Sequence, residues 1–501
     1  MTLAARGALH VEWEPVIGLE VHAQLLTKSK MFCSCPADYQ ENEPNTGVCP
    51  VCLAMPGVLP VINKQAVEHV IRTGLALNCS IGEFAQFDRK NYSYPDLMKG
   101  YQISQYENPI SYGGWMTIDS DGEPRQVGIT RAHLEEDVAK LQHARDGAGA
   151  GYALMDVNRA GVPLMEVVGE PDLRSPEEAR QYLTKLRSIL QYIGVSTADM
   201  EQGSFRCDAN VSIRPKGSTE YGTKVEVKNM NSLRAVVRSL EYEIQRQTEL
   251  LESGGSVSQE TRGWLEDRGV TVSQRSKEYA NDYRYLPEPD LPPLLISREW
   301  VDEVRESLPE LPDERLERLQ RDYGLSAYDA ALLTANRRTA DYFEEAVAAK
   351  ALEGEALQAR AKAIANLINS ELARLLNMAG IELWESKVAA PALSELVDLI
   401  DDRTVSSTQA KQVLEEVFET GDRPRKVVEA KGLSQVTDEG AILDAVREAL
   451  DSNPQAVEDY LGGKENAAKF LVGQVMKVTR GRAAPAVVNQ LLEEQLAARK
   501  L

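Results

Sequence analysis

The sequence predicts an α+β protein. A domain with a mainly antiparallel sheet and flanking helices spans residues 1–294; an all-α domain (295–425) and a small all-α tail (426–501) follow. Three observations carry this prediction. Short alternating segments rich in Gly, Pro and Tyr fill the first ~290 residues. Ala, Leu, Glu and Arg at helical spacing dominate from about 295 onward. Between them, residues 286–293 hold four prolines, which stop both helix and sheet pairing. A second break near Gly421 and Pro424 opens a tail whose charges balance.

Composition narrows the class. At 501 residues, 43% hydrophobic and 27% charged, the chain reads as soluble, with two to four domains. No apolar run approaches the ~18–20 residues of a membrane span. The first fifteen residues lack a signal peptide's apolar core, so a cytoplasmic protein is expected. The net charge of −21 argues against generic binding to nucleic acid. Such a ligand needs a local basic surface, a partner protein or bridging metal ions.

Taken in order, residues 17–25 alternate. Ile17, Leu19, Val21, Ala23 and Leu25 share one sheet face, and Glu20, His22 and Gln24 the other. Next, Cys33, Cys35, Cys49 and Cys52 form two close pairs, the donor set of one tetrahedral structural zinc with no open position. Cys79 and Cys207 stand alone. Residues 130–140 then add Arg131, His133, Glu135, Glu136 and Asp137. Adjacent Glu135 and Glu136 point in opposite directions on a regular strand, so at most one joins a common site unless the chain bulges there. The glycine run at 147–151 lacks the spacing and lysine of a phosphate loop and reads as a flexible connection.

Residues 156–166 are the most informative. Asp156, Asn158 and Arg159 lead through Gly161 and Pro163 into an apolar run that contains Glu166. A carboxylate there is costly to bury unless a cation or several hydrogen bonds meet it. Ser175, Pro176 and Glu178 open a helix expected to reach Tyr192. In 205–213, Phe205, Cys207, Ala209, Val211 and Ile213 oppose Arg206, Asp208, Asn210 and Ser212. In 223–228, Lys224, Glu226 and Lys228 fall together. A further helix, with Val236, Val237, Leu240 and Ile244 as its stripe, starts near Ser232 and stops before Gly254.

One polar face of an antiparallel sheet ordinarily looks at water. Here the polar faces carry Glu, His, Asp and Asn, and Glu166 lies in apolar sequence where solvation does not account for it. Glu20, His22, Glu135 or Glu136, Glu166 and Asp208 make an oxygen-rich set with one imidazole, suited to Mg²⁺ or Mn²⁺ more than to zinc. Lys90, Arg159, Arg206 and Lys228 suit phosphate oxygens. In the tail, Lys477, Arg480 and Arg482 lie at or just beyond a helix end.

The stretches at 16–22, 87–96, 156–166, 206–210, 283–290 and 470–477 together resemble the B subunits of glutamine-dependent aspartyl/glutamyl-tRNA amidotransferases, the GatB/GatE family. The likeness covers nearly the whole chain. It implies a cradle domain, a helical domain and a YqeY-like tail that contacts tRNA. It implies a heterotrimer in which the amidase, or A, subunit releases ammonia from glutamine, alongside a small C subunit. The B subunit then phosphorylates, with ATP, the side-chain carboxylate of misacylated Glu-tRNA(Gln) or Asp-tRNA(Asn), and channelled ammonia displaces the phosphate. The resemblance further implies His22, Glu136 and Glu166 as Mg²⁺ ligands. It implies Glu20, Glu135 and Asp208 as neighbours that bind a second ion or guide ammonia. The four cysteines are absent from some family members, so zinc is expected to serve structure. A noncatalytic tRNA-binding scaffold is the alternative reading.

Overall fold

The computed structural model describes residues 11–145, 151–276, 283–433, 439–462, 464, 466–479, 483 and 485–499. The glycines at 147 and 149, Arg480 and Arg482 lie outside the described residues. The chain divides into two units, Met1–Leu311 and Pro312–Leu501.

The first unit carries β1 (Trp13–Gln24), β2 (Ser80–Ile81), β3 (Phe84–Ala85), β4 (Asp88–Asn91), β5 (Tyr101–Ser104), β6 (Ser111–Ser120), β7 (Glu123–Glu136) and β8 (Lys140–Arg145). There follow β9 (Gly151–Asp156), β10 (Pro163–Gly169), β11 (Phe205–Pro215), β12 (Val225–Met230), β13 (Glu260–Leu265), β14 (Val270–Ser276), β15 (Leu286–Pro287) and β16 (Leu294–Leu295). Its helices are α1 (Lys64–Ala76), α2 (Pro176–Tyr192), α3 (Leu233–Glu252) and α4 (Arg298–Glu306).

Nine strands form one sheet in the order β14-β13-β12-β11-β1-β10-β7-β6-β2. Every neighbouring pair is antiparallel except β12 and β13, which α3 joins as the crossover that parallel pairing requires. The apolar parity of each strand faces the helices. Ile17, Leu19, Val21 and Ala23 of β1 are at most 1% exposed, and they share a core with Met165, Val167, Ala132, Leu134, Cys207 and Val211. Leu183, Leu186 and Leu190 of α2, Val236 and Leu240 of α3, and Val67, Val70 and Ile71 of α1 complete it. Ser175 caps α2 by accepting from the Glu178 amide, and Ser232 caps α3 by accepting from the Ala235 amide, as their sequence signatures require.

Two features differ from the sequence expectation. Helix α1 is additional; its cap is Asn63, and neither a proline nor an acidic first turn announces it. The first unit also runs past residue 294, because Val304 of α4 lies in its core and Trp300, Val301, Leu308 and Leu311 pack against it.

The second unit has two hydrophobic cores, one built from residues between Leu319 and Val428 and one from residues between Ile442 and Leu496. Val427 and Val428, on the helix Pro424–Lys431, belong to the earlier core. The break expected at 425 therefore comes one helix too early. A helix at Pro485–Ala498 follows the helix Asn466–Val478.

Leu186, fully buried between α2 and the sheet, anchors the first core. Leu186→Ala is expected to destabilise this unit by about 2–5 kcal/mol in denaturant titration. A loss under ~1 kcal/mol would contradict the packing described.

Candidate active site

Register carries the polar parities into a single row across the sheet. Glu20 stands opposite Asp208, His22 opposite both Arg206 and Glu166, and Glu166 opposite His133. Glu226 and Lys228 of β12 extend the row on one side and Arg131 and Glu135 of β7 on the other, around a cavity of about 520 Å³. The small sheet β15-β4-β5 contributes Lys90 and Gln102 to the same cavity, and Tyr92, Tyr106, Tyr283 and Tyr285 line it as well. Tyr106 and Tyr285 stack with centroids 4.4 Å apart.

At the centre, His22 Nε2 lies 3.7 Å from Glu135 Oε2 and 3.8 Å from Glu166 Oε2. These gaps are too long for hydrogen bonds. They match the separation of donor atoms around one shared cation, since octahedral ligands at ~2.1 Å sit about 3–4 Å apart. The donor atoms of His22, Glu135 and Glu166 all fall within 4.8 Å of one another.

A second set of groups holds these donors in place. Ser104 Oγ donates to Glu135 Oε1 at 2.7 Å, and Gln102 Nε2 donates to Glu135 Oε2 at 3.2 Å. His133, only 1% exposed, places Nε2 3.2 Å from Glu166 Oε2. Carboxylate ligands oriented in this way are typical of metal sites.

The electrostatics keep the pair ionised. Burial opposes charge on Glu166, but His22 and the hydrogen bond with His133 outweigh it and hold the carboxyl well below its ordinary range. Burial opposes charge on Glu135 too, yet Lys90 prevails and the carboxyl is pushed down to about 2. Lys90 Nζ lies 3.8 Å away, and that carboxylate raises its pKa well above normal despite burial. Glu20 moves the opposite way, raised by burial and then by Glu166, Glu226 and Asp208. Its Oε1 accepts from Asn210 Nδ2 at 2.9 Å. Asp208 pairs with Lys228 at 2.5 Å, which raises the lysine despite its burial.

The structure brings Glu135, and not Glu136, to His22 and Glu166. The parity of β7 decides this: Glu136 shares its face with Ala132 and Leu134. It pairs instead with Lys99 at 2.5 Å and accepts from the Ile103 amide at 3.0 Å. It lines a separate cavity of about 260 Å³ with Lys99, Tyr101 and Gly161. Arg206 lines the main cavity and reaches Asp137 at 2.9 Å. Arg159 meets the same buried Asp137 from the other side at 3.6 Å, and donates to the carbonyls of Val138 and Ala139. Arg159 thus bears on the cavity through Asp137.

The four cysteines are reduced and half-buried, with their Sγ atoms within 4.8 Å of one another. Cys49 and Cys52 are 3.8 Å apart, the sulfur separation of a tetrahedron with bonds of ~2.3 Å. A hydrogen bond from Cys33 pushes the Cys52 thiol down to about 4, and the same bond with burial pushes the Cys33 thiol up.

Sequence reasoning passes over His133 as a site residue, along with Gln102, Ser104 and the tyrosines. For His133 the signal is present. Ala132 and Leu134 mark the core parity, which assigns Arg131, His133 and Glu135 to the other face. The remaining groups sit on short strands and connections without a periodic signature.

Titration with Mn²⁺, followed by electron paramagnetic resonance, is expected to reveal a site weakened about tenfold or more by Glu135→Gln or Glu166→Gln. Glu136→Gln is expected to leave it unchanged. Loss of binding in Glu136→Gln alone would contradict the geometry.

Two family models match the chain: the GatB/GatE catalytic domain over residues 15–302, and the GatB domain over residues 341–496. Several curated proteins, named as B subunits of aspartyl/glutamyl-tRNA(Asn/Gln) amidotransferase, align end to end. That of Dehalococcoides mccartyi is 55% identical across 97% of this chain and 99% of its own length. That of Carboxydothermus hydrogenoformans is 54% identical over the same shares. That of Moorella thermoacetica is 55% identical over 97% of this chain and all of its own length. The row of ionised side chains lies inside the matched catalytic domain, and the chain belongs to the GatB/GatE family.

Proposed function

We propose that this chain is the B subunit of a glutamine-dependent tRNA amidotransferase. It activates the side-chain carboxylate of misacylated Glu-tRNA(Gln), Asp-tRNA(Asn) or both, and completes amidation with ammonia. The observation that carries this reading is the cluster of His22, Glu135 and Glu166 on one sheet face, ringed by Lys90, Arg131, Arg206 and Lys228.

A carboxylate is a poor acyl donor. In the first step one of its oxygens attacks the γ-phosphorus of ATP, ADP leaves, and an acyl phosphate forms. In the second, ammonia attacks the acyl carbon and inorganic phosphate departs with the C–O bond electrons. Bound Mg²⁺ supplies charge neutralisation for the phosphates in the first step. His22, Glu135 and Glu166 are the residues that would hold it. Lys90 is suited to meet the transferred phosphoryl oxygens, and Arg206 to bind a phosphate of the substrate that is not transferred. Glu20 and Asp208 are the acidic groups best suited to take the proton lost by the attacking ammonia. The tyrosine wall of 92, 106, 283 and 285 screens the acyl phosphate from water.

The proposed partners are an amidase (A) subunit, which supplies ammonia from glutamine, and a small C subunit, in the cytoplasm. Zinc in the four-cysteine cluster would have no open position and would serve structure. Among the described residues no helix is long and apolar enough to cross a membrane. A noncatalytic scaffold is disfavoured, because positioning tRNA gives no reason to bury two ionised carboxylates beside a histidine.

In the reconstituted heterotrimer, His22→Ala and Glu166→Ala are expected to abolish tRNA-dependent ATP hydrolysis and amidation. Normal amidation by both would overturn the catalytic reading. In the tail, Lys477 is exposed near the end of the helix Asn466–Val478. Lys477→Ala is expected to raise KM for tRNA without lowering kcat; an unchanged KM would remove this residue from the tRNA contact.

A further inference from the structure

We propose that the cysteine loop is a positioning device for the phosphate-binding edge of the cavity, with Asn45 and Asn158 as its positioning residues. A metal in the four-thiolate clip would then set the affinity for a phosphate-bearing substrate while leaving the chemical step alone. This inference rests on the reading of the cavity as the site of carboxylate activation.

A chain of contacts links the loop to the cavity. Asn45 sits between the two cysteine pairs with φ +64°, a left-handed conformation that asparagine tolerates better than most residues. From there it grips three consecutive residues. Its amide donates to Asp156 Oδ1 at 3.0 Å, its Nδ2 donates to the Met155 carbonyl at 3.1 Å, and its Oδ1 accepts from the Val157 amide at 2.8 Å. Two residues on, the Gly47 amide donates to Asn158 Oδ1 at 2.8 Å, and Asn158 Nδ2 returns a bond to the Glu43 carbonyl at 2.7 Å. Asn158 is fully buried. Beneath these bonds, Val48 and Leu53 of the cysteine loop pack on a small core of Ala139, Val157 and Ala160. The buried Lys30 also ties the loop down, donating Nζ to the Gly47 carbonyl at 3.1 Å.

The turn held in this way, Val157–Arg159, ends on the arginine that meets Asp137. Asp137 is only 2% exposed and is shared by Arg159, Arg206 and Gln24. Arg206 and Asp137 both line the cavity, and Arg206 is the cation of this relay that faces it. If the turn moves, Arg159 leaves Asp137, and Arg206 alone of the two arginines remains on it. Arg206 then binds the carboxylate more closely and is less available to an incoming phosphate. Among the described residues no side chain of this path hydrogen-bonds to His22, Glu135 or Glu166, so the consequence is in binding more than in turnover. The phosphate could belong to ATP or to the tRNA backbone, and separate KM measurements distinguish the two.

The test uses the intact heterotrimer carrying Asn45→Ala, with Asn45→Asp as the conservative variant that keeps the acceptor for the Val157 amide. Hydrogen exchange across residues 155–159 is expected to accelerate in Asn45→Ala and to recover in part in Asn45→Asp, which keeps the bond from Val157 and loses the one to Met155, with bound zinc per chain unchanged in both. KM for ATP or for aminoacyl-tRNA is expected to rise about fivefold or more in Asn45→Ala, with kcat within about twofold of the parent. Stripping zinc from the parent with a chelator is expected to reproduce both the faster exchange and the raised KM. Unchanged exchange in Asn45→Ala would overturn the positioning role. Faster exchange with neither KM moved, or with only kcat lowered, would overturn the link to phosphate binding. A zinc-free parent that behaves like the loaded one would overturn control by the metal. A parent trimer that does not amidate at all would instead overturn the underlying reading of the site.

Discussion

Glu135 and Glu166 bring two negative charges side by side beneath the surface of a β-sheet, at 2% and 8% exposure. Inside a protein an uncompensated ionised carboxylate is strongly unfavourable, and two adjacent ones more so. The surrounding architecture answers that constraint. His22 and His133 come from β1 and β7, the strands on either side of β10, Lys90 comes from the small sheet, and Ser104 and Gln102 supply hydrogen bonds. The result is a preorganised anionic site with a gap of cation size, bordered by cations suited to phosphate.

The sheet makes this arrangement possible. Alternation sends one parity of each strand to the helices, where apolar burial stabilises the unit, and leaves the other parity for chemistry. Antiparallel register then sets which ionisable groups become neighbours. A slip of one residue between β1 and β10 would exchange His22 and Glu166 for core residues, so core packing and site geometry are specified by the same pairing. The helical unit, by contrast, owes its structure to two apolar cores and carries none of these groups.

Much of this was legible in the chain. In β1 and β11, strict alternation of Val, Leu, Ile and Ala with charged residues assigned Glu20, His22, Arg206 and Asp208 to one face, and Glu166 stood out as an acid in apolar surroundings. The capped starts of α2 and α3 were equally readable, since Ser175 and Ser232 act through local hydrogen bonds. The choice between Glu135 and Glu136 was readable by parity, but the two lie at the end of β7, where a bulge would reverse the answer. The family likeness pointed to Glu136, which the structure pairs with Lys99. Long-range groupings were not legible. Gln102 and Tyr285 reach the cavity from strands or connections too short to show a period. The grip of Asn45 on the turn at 156–159 joins positions about 110 residues apart, a contact no local pattern encodes.

The most direct test of a cation held between the buried carboxylates is anomalous diffraction from crystals soaked with Mn²⁺ and a non-hydrolysable ATP analogue. The expected result is a manganese peak bonded to His22, Glu135 and Glu166, with the analogue's phosphates turned toward Lys90 and Arg206. A peak bonded to Glu136, or phosphate density with no metal beside His22, would contradict it.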